Sequence, residues 1–381
     1  MENPFVYGEI VPDRSFVDRD TELRRLVNDL AESQKVFLIS PRRYGKSSLI
    51  RQALRRLSRR GALTVEVTVS AFSSYVAFLE GYAEALAAME RRSDRARAWL
   101  REAFRAVPAE VGYSAEGGRR RVTVAFPAAR SARDIARLAD EVFALPARIA
   151  DAHGRPVVVA LDEFQDIGGF NGGSVEQALR AAVQQQRQVG YVFAGSEPTL
   201  MERMIGPRRP FYKAGPVVRL GRIPADEFAA FIEVAFTRTG LKPEAGLGLA
   251  IVELAGNLPY DVQRLAHETW DDAKASGRRR ASLDDLHATL RRLLGEQEPL
   301  FEGMWQRLTL AQRAVLRAVV LEGGREMLSA DTRVRHRLGG PSSVQASIAA
   351  LKRAELVARD ETGRYAVIDS LLREWVARKT F

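Results

Sequence analysis

The stretch Ser40-Pro41-Arg42-Arg43-Tyr44-Gly45-Lys46-Ser47-Ser48 constrains this chain more than any other. The segment 35–39, apolar after its first residue, precedes it and reads as a buried strand. A segment with Leu49, Ile50, Leu54 and Leu57 on one helical face follows it. Strand, loop and helix around Gly-Lys-Ser form the setting of a phosphate loop, whose backbone N–H groups wrap an anion. Gly45 allows close approach of the backbone, Lys46 meets the β- and γ-phosphate charge, and Ser47 is placed to ligate Mg²⁺. Arg42, Arg43, Tyr44 and Ser48 complete the expected contact set. The first glycine of the pattern is replaced by Ser40. The competing reading is an ordinary strand-to-helix turn that happens to carry a lysine.

A second run, 157–161, is apolar throughout and ends in Asp162-Glu163. A strand without alternation is expected to be covered on both faces of a parallel sheet. Two carboxylates at its mouth are costly unless something positive meets them, and a phosphate-bound Mg²⁺ does so. Asp162 is then the metal residue, and Glu163 the group that orients and activates a water. The next strand, 191–194, delivers Gly195-Ser196-Glu197. Ser196 is the candidate to reach the γ-phosphate or that water, and a plain Gly-Ser turn is the alternative.

Strands alternate with helical patterns through this region, so the expected fold is an α/β domain with a mostly parallel sheet. A helix is expected from Asp20 or Thr21, with further helices over 72–105, 135–152 and 175–187. The stretch 108–133 reads as a hairpin or a mobile insertion. After Ile223-Pro224 only helical patterns remain to about 294, broken at 240–243, 256–259 and 277. From about 296 the order is helix, helix, helix, hairpin. Thr309 is the expected cap of 311–321, and Val344, Ile348 and Leu351 line one face of 341–351. The boundaries predicted are therefore 1–224, 225–295 and 296–381.

The five segments NPFVYGEIVPDRSFVDRDTELRRL, SPRRYGKSSLI, VVVALDEFQDI, FAGSEPTLM and AGNLPYDVQRLA together resemble the archaeal-type ATPases. These are a branch of the STAND P-loop NTPases near the AAA+ and Orc/Cdc6 proteins. The resemblance implies an AAA+-type parallel-sheet core, an all-helical lid and a C-terminal winged helix, with ATP or ADP and Mg²⁺ as ligands. It also implies that Pro4, Phe5 and the 16–19 segment, including Arg19, pack near the adenine, and that Pro259 of the lid sits against the nucleotide. Where the family often carries a finger arginine this chain has Lys213, with Arg208 or Arg209 as substitutes or as plain surface residues.

Partners are less constrained. Of 381 residues, 58 are Lys or Arg and 48 are Asp or Glu, a net charge of +10, which favours polyanions unless it is only an arginine-rich solvated surface. In a DNA-binding winged helix, Ser343, Gln345, Ser347 and Lys352 face the major groove, and Arg333, Arg335, His336 and Arg337 lie near phosphates. The alternative use of that domain is a protein contact, within the chain or with a partner. Cysteine is absent, which removes disulfides and thiolate metal sites, and His153, His267 and His287 lack metal-ligand spacing. The opening residues show no basic-then-apolar leader, and no apolar run nears the roughly 20 residues of a spanning helix. The expectation is a cytoplasmic, Mg²⁺-dependent ATPase that works as a nucleotide-driven switch. Its rival is a DNA-binding regulator that holds ADP structurally with little or no hydrolysis.

Overall fold

A computed structural model of the chain describes residues 2–8, 19–89, 110–116, 119–127, 129, 131–170, 174–360 and 363–379. The chain divides into two compact units, Arg19–Leu220 and, together with the N-terminal residues, Gly221–Phe381.

The first unit opens on α1 (Asp20–Ala31), whose Leu23, Leu26, Val27 and Leu30 are buried at i, i+3, i+4 and i+7. Arg19 rather than Asp20 or Thr21 holds the N-cap position, with no side-chain cap. Then follow β1 (Lys35–Ile39), α2 (Lys46–Arg59), β2 (Leu63–Thr68) and α3 (Tyr75–Ala87). The expected helix over 72–105 is thus shorter at its start, and its part beyond 89 lies outside the described residues. A hairpin of β3 (Glu110–Glu116) and β4 (Arg119–Ala125) pairs antiparallel, which selects the hairpin reading of 108–133.

Next come α4 (Ala132–His153), started by a capping box of Ser131 and Asp134, and β5 (Val157–Asp162). The rest is α5 (Ser174–Gln185), β6 (Val189–Gly195), α6 (Pro198–Met204) and β7 (Val217–Arg219). The sheet runs β2-β5-β6-β1-β7, and every pairing is parallel. Each residue of β5 and β6 is buried, as an unalternating apolar strand requires. Register sets Ile39 opposite Gly195, and Thr68 opposite Asp162. The carboxyl ends of β1, β5 and β6 therefore share one edge, which is where a parallel sheet with such crossovers places its ligand. Behind that edge Phe37, Phe164, Phe193 and Phe211 pack ring on ring, with centroids 4.7 to 5.8 Å apart.

The second unit contains α7 (Ala225–Arg238), α8 (Leu247–Leu254), α9 (Pro259–Ala275) and α10 (Leu283–Gln306). A two-residue parallel bridge, β8 (Lys242–Pro243) with β9 (Arg280–Ala281), interrupts the expected all-helical pattern. After α10 come α11 (Leu310–Leu321), α12 (Ala330–Arg335), α13 (Pro341–Arg353), the antiparallel pair β10 (Val357–Arg359) and β11 (Tyr365–Val367), and α14 (Ser370–Arg378). Thr309 does cap α11, in a capping box with Gln312. Thr362 of the expected hairpin turn lies outside the described residues. The terminal helix α14, which the sequence reading lacks, buries Leu371, Leu372, Trp375 and Val376.

Two differences from the expected boundaries have clear causes. α10 runs through 295 and 296 without a break, tolerates Pro299, and buries Leu286, Leu290, Leu293, Phe301 and Trp305 along its length. A single hydrophobic core accordingly spans residues from Ile223 to Val376. Phe5 belongs to that core too: it is 1% exposed and its ring lies 5.2 Å from Phe236. Among the described residues no helix is long and apolar enough to cross a membrane.

Candidate functional site

The loop after β1 is anchored at both ends. Ser40, at the position of the first pattern glycine, is fully buried, and its N–H donates to the Gly195 carbonyl at 3.1 Å. Arg43 and Gly45 have φ of +69° and +84°, so the chain turns through the left-handed region twice before α2. Gly45 is the N-cap of α2, no side chain caps that helix, and its first turn contains no acidic residue. Among the described residues the opening amides of α2 thus lack a side-chain acceptor, as a helix start that takes an external anion should. Arg19, 4% exposed, donates to the Tyr44 carbonyl at 2.9 Å and pairs with Glu22, which fixes the loop from behind.

Side chains 115 and 117 positions apart meet in front of this loop. Ser47 Oγ donates to Asp162 Oδ2 at 3.0 Å. Lys46 Nζ donates to Glu163 Oε1 at 2.9 Å and forms an ion pair with Asp162. Lys46 and Asp162 are 6% and 5% exposed, so the ion pair sits where water solvates both charges poorly. Among the described residues no group of three or more His, Cys, Asp or Glu could hold a metal by itself. One hydroxyl and one carboxylate 3.0 Å apart nevertheless fit Mg²⁺, which takes few protein ligands when phosphate oxygens and water supply the rest.

Glu163 sits at φ +52°, a left-handed turn that ends β5 and opens the 3-10 helix Phe164–Gly169. Its Oε2 accepts from Ser196 Oγ at 2.5 Å, from the Ser196 N–H at 3.3 Å and from Gln165 Nε2 at 2.8 Å. Burial alone would raise the Glu163 pKa; bonds from Ser196, Gln165 and Lys46 outweigh it and hold the carboxyl at about 2. Glu163 is therefore ionised at neutral pH. Asp166 is shifted upward, by burial first and then by the neighbouring Glu163 charge.

The structure brings Gly45, Lys46, Ser47, Asp162, Glu163 and Ser196 to one edge of the sheet, with Arg42 and Arg43 exposed on the loop, Tyr44 buried and Ser48 half-buried in the first turn of α2. The other expected residues take the following places. Phe5, expected near an adenine, spends its surface on the helical core, and Pro4 is beside it in that unit. The Arg19 guanidinium serves the Tyr44 carbonyl. Pro259 is half-buried at the start of α9, after Gly256 and Asn257 at φ +62° and +54°. Arg209, the substitute finger, is bonded at 2.7 Å to Glu176, which is almost fully buried. Gln165, which joins this network, has no sequence signal beyond its place two residues after Glu163.

On the winged helix, Ser343, Gln345 and Lys352 are exposed as expected, but Ser347 is buried. It falls at i+3 from Val344 and i−4 from Leu351, on the same stripe as Ile348, so it packs inward. Arg335 and His336 both contact Glu322, at 2.8 and 2.7 Å.

A family described as "AAA ATPase domain" matches residues 15–194, and one described as "probable winged helix domain" matches residues 299–378. No curated protein matches the chain. Among solved structures, the Walker-type ATPase of Pyrococcus abyssi aligns over 96% of this chain and 97% of its own, at 17% identity and a TM-score of 0.60. The Orc1 protein of Aeropyrum pernix, solved in complex with DNA, aligns over 97% and 95% at 14% identity, with a TM-score of 0.52. The Orc2 protein of Aeropyrum pernix, solved with ADPNP and ADP, aligns over 98% and 95% at 13% identity, also at 0.52. At these identities the likeness is one of fold: an AAA+-type parallel-sheet core followed by a helical region with a winged helix.

Proposed function

We propose that this chain is an Mg²⁺-dependent, ATP-hydrolysing conformational switch of the archaeal-type STAND branch. The observation that carries the reading is the meeting of Lys46 and Ser47 with Asp162 and Glu163 in front of an uncapped helix start. Lys46 answers two carboxylates, and a triphosphate would compete for the same ammonium. On binding, Lys46 turns to the β- and γ-oxygens, while the amides from Gly45 onward wrap the phosphates. Ser47 and Asp162 would hold Mg²⁺, and bound Mg²⁺ supplies charge stabilisation at the phosphoryl oxygens. Glu163 orients a water and takes its proton as the new O–P bond forms; the bond from γ-phosphorus to the bridging oxygen breaks, leaving ADP and phosphate. Ser196 steadies Glu163 from the next strand.

The helical region 225–295 acts as the lid and 296–381 as the output. Because α10 is one continuous helix across that boundary, lid movement carries the winged helix with it. The output reading is duplex DNA, contacted through Ser343, Gln345 and Lys352 on the exposed side of α13. Its support is the winged-helix match together with the DNA complex of the Orc1 protein.

Phosphate release from purified protein with Mg²⁺ and ATP, compared with Glu163→Gln, tests the catalytic half. Glu163→Gln should bind ATP and stop turnover; hydrolysis at the unaltered rate removes Glu163 from its role. Near-stoichiometric ADP in denatured protein without turnover would favour the structural-nucleotide alternative. Titration with a random duplex at low and high salt tests the output, and no binding at low salt excludes DNA.

A further inference from the structure

We infer that Gln165 is a positioning residue for Glu163: its side-chain amide pins one carboxylate oxygen so that the other is left to receive the proton of the attacking water. The inference rests on the ATPase reading above and assigns a role to a side chain that reading does not use.

The carboxylate of Glu163 is bonded asymmetrically. Oε2 receives three donors, Gln165 Nε2 at 2.8 Å, Ser196 Oγ at 2.5 Å and the Ser196 N–H at 3.3 Å. Oε1 receives Lys46 at 2.9 Å. Lys46 is the donor that a triphosphate draws away. Once it leaves, Oε1 is open while Oε2 stays held from two directions, by β6 through Ser196 and by the 3-10 helix through Gln165. A carboxylate held at one oxygen has its rotation about the terminal bond fixed, and general-base catalysis depends on such alignment.

The placement of Gln165 itself has a physical cause. It is 8% exposed. The left-handed backbone at Glu163 turns the chain back, so that a side chain two residues later returns to the same carboxylate. Only one orientation of its amide works, because the flipped amide would set oxygen against carboxylate oxygen. In the working orientation the amide oxygen is buried and finds no hydrogen-bond donor among the described residues. It lies at Gly195, 2.6 Å from where a Cβ would stand, and only a bare strand tip leaves it room. A buried acceptor without a partner is costly and calls for an explanation. Here the explanation is the bond at the other end of the same amide, which can be made only in this pose.

The test uses the full chain and Gln165→Met, which keeps the length and apolar packing of the side chain but removes the donor. ATP turnover, KM for ATP, affinity for a fluorescent ADP analogue and the thermal midpoint are compared with the unaltered protein. The expected result is a fall in kcat of about tenfold or more, a modest part of what a general base contributes, with KM, ADP affinity and midpoint unchanged. Gln165→Glu, which puts a second negative charge at Oε2, should lose at least as much kcat. An unchanged or raised kcat in Gln165→Met overturns the inference. So does a loss of kcat matched by equal losses of ADP affinity and midpoint, because that pattern belongs to a packing residue. Absence of hydrolysis by the unaltered protein would instead remove the ATPase reading, and this inference with it.

Discussion

Lys46 Nζ stands 2.9 Å from Glu163 Oε1 across 117 residues of chain, so a single ammonium ties the loop after β1 to the end of β5. Lys46→Met should therefore do two separable things. It removes the ammonium that answers the phosphates, and it leaves Asp162 and Glu163 facing each other. The second effect should cost about 3 kcal/mol in the ligand-free state, the usual penalty for stranding one partner of a buried pair. Urea unfolding without nucleotide measures it. Adding Glu163→Gln to Lys46→Met should restore part of that loss while nucleotide binding stays absent, and strict additivity of the two substitutions would contradict the coupling.

Gly45 offers a cleaner probe of what the loop holds. Its φ is +84°, yet a Cβ built there meets no atom within 4 Å. In the ligand-free protein Gly45→Ala should therefore cost only the backbone strain, roughly 1–2 kcal/mol. With a phosphate against the loop the added methyl competes for the same space, and affinity for ATP should fall by about tenfold or more beyond that strain. Fluorescence titration with a nucleotide analogue and unfolding of the unliganded variant read the two numbers separately. Equal losses in both would mean that nothing approaches Gly45.

How much of this could be read from the sequence depended on the range of the interaction. β1 was located to the residue because a short apolar run bounded by Gln34 and Ser40 has few alternatives, and Thr309 was identified as a cap because its bond is to its own turn. Lys46, Ser47, Asp162 and Glu163 could be paired because the order of strand ends in a parallel sheet places them at one edge. Arg19 was harder: an arginine just before a helix gives no sign that its target is the carbonyl of Tyr44, 25 residues on. The continuity of α10 through 295 and 296, Pro299 included, is set by the core along which it packs, and no local pattern announces it. The core to which Phe5 belongs is likewise not legible in the sequence. A lone aromatic near a terminus carries no periodicity that would assign it to one core rather than another.

The corrected position of Ser347 separates fold from recognition on the winged helix. Ser347 is 6% exposed on the Val344–Leu351 stripe, whereas Gln345 and Lys352 face outward. Ser347→Glu should unfold or loosen this part of the chain, at a cost of roughly 3 kcal/mol for a buried unpaired charge. Gln345→Ala should leave the thermal midpoint alone. If α13 contacts DNA, Lys352→Ala should lower duplex affinity at low salt and reduce the salt slope by about one. If the winged helix serves a protein contact, Lys352→Ala will leave the salt slope of duplex binding unchanged.

The N-terminal strap supplies a pH prediction whose sign is fixed. Tyr7 donates to Glu268 at 2.5 Å, and Arg292 donates to the other oxygen of the same carboxylate at 2.7 Å. Burial would raise the Glu268 pKa, but the bonds from Tyr7 and Arg292 and the Arg292 charge win, so the group titrates below its ordinary 4.5. A carboxyl depressed in the folded state contributes stability that is present above 4.5 and is lost as pH falls through the folded value. Glu268→Gln should accordingly melt lower than the unaltered protein by about 2 °C at pH 7. The gap should narrow steadily below pH 4.5 as the unaltered carboxyl takes up its proton. At the alkaline end the same pair pushes the Tyr7 hydroxyl up to about 12, chiefly through its bond to Glu268, so the strap should hold past the point where a free tyrosine ionises. Melting curves of both proteins across pH 3 to 7 decide the acid half. A gap that stays constant on acidification would show that Glu268 contributes by packing, not by charge.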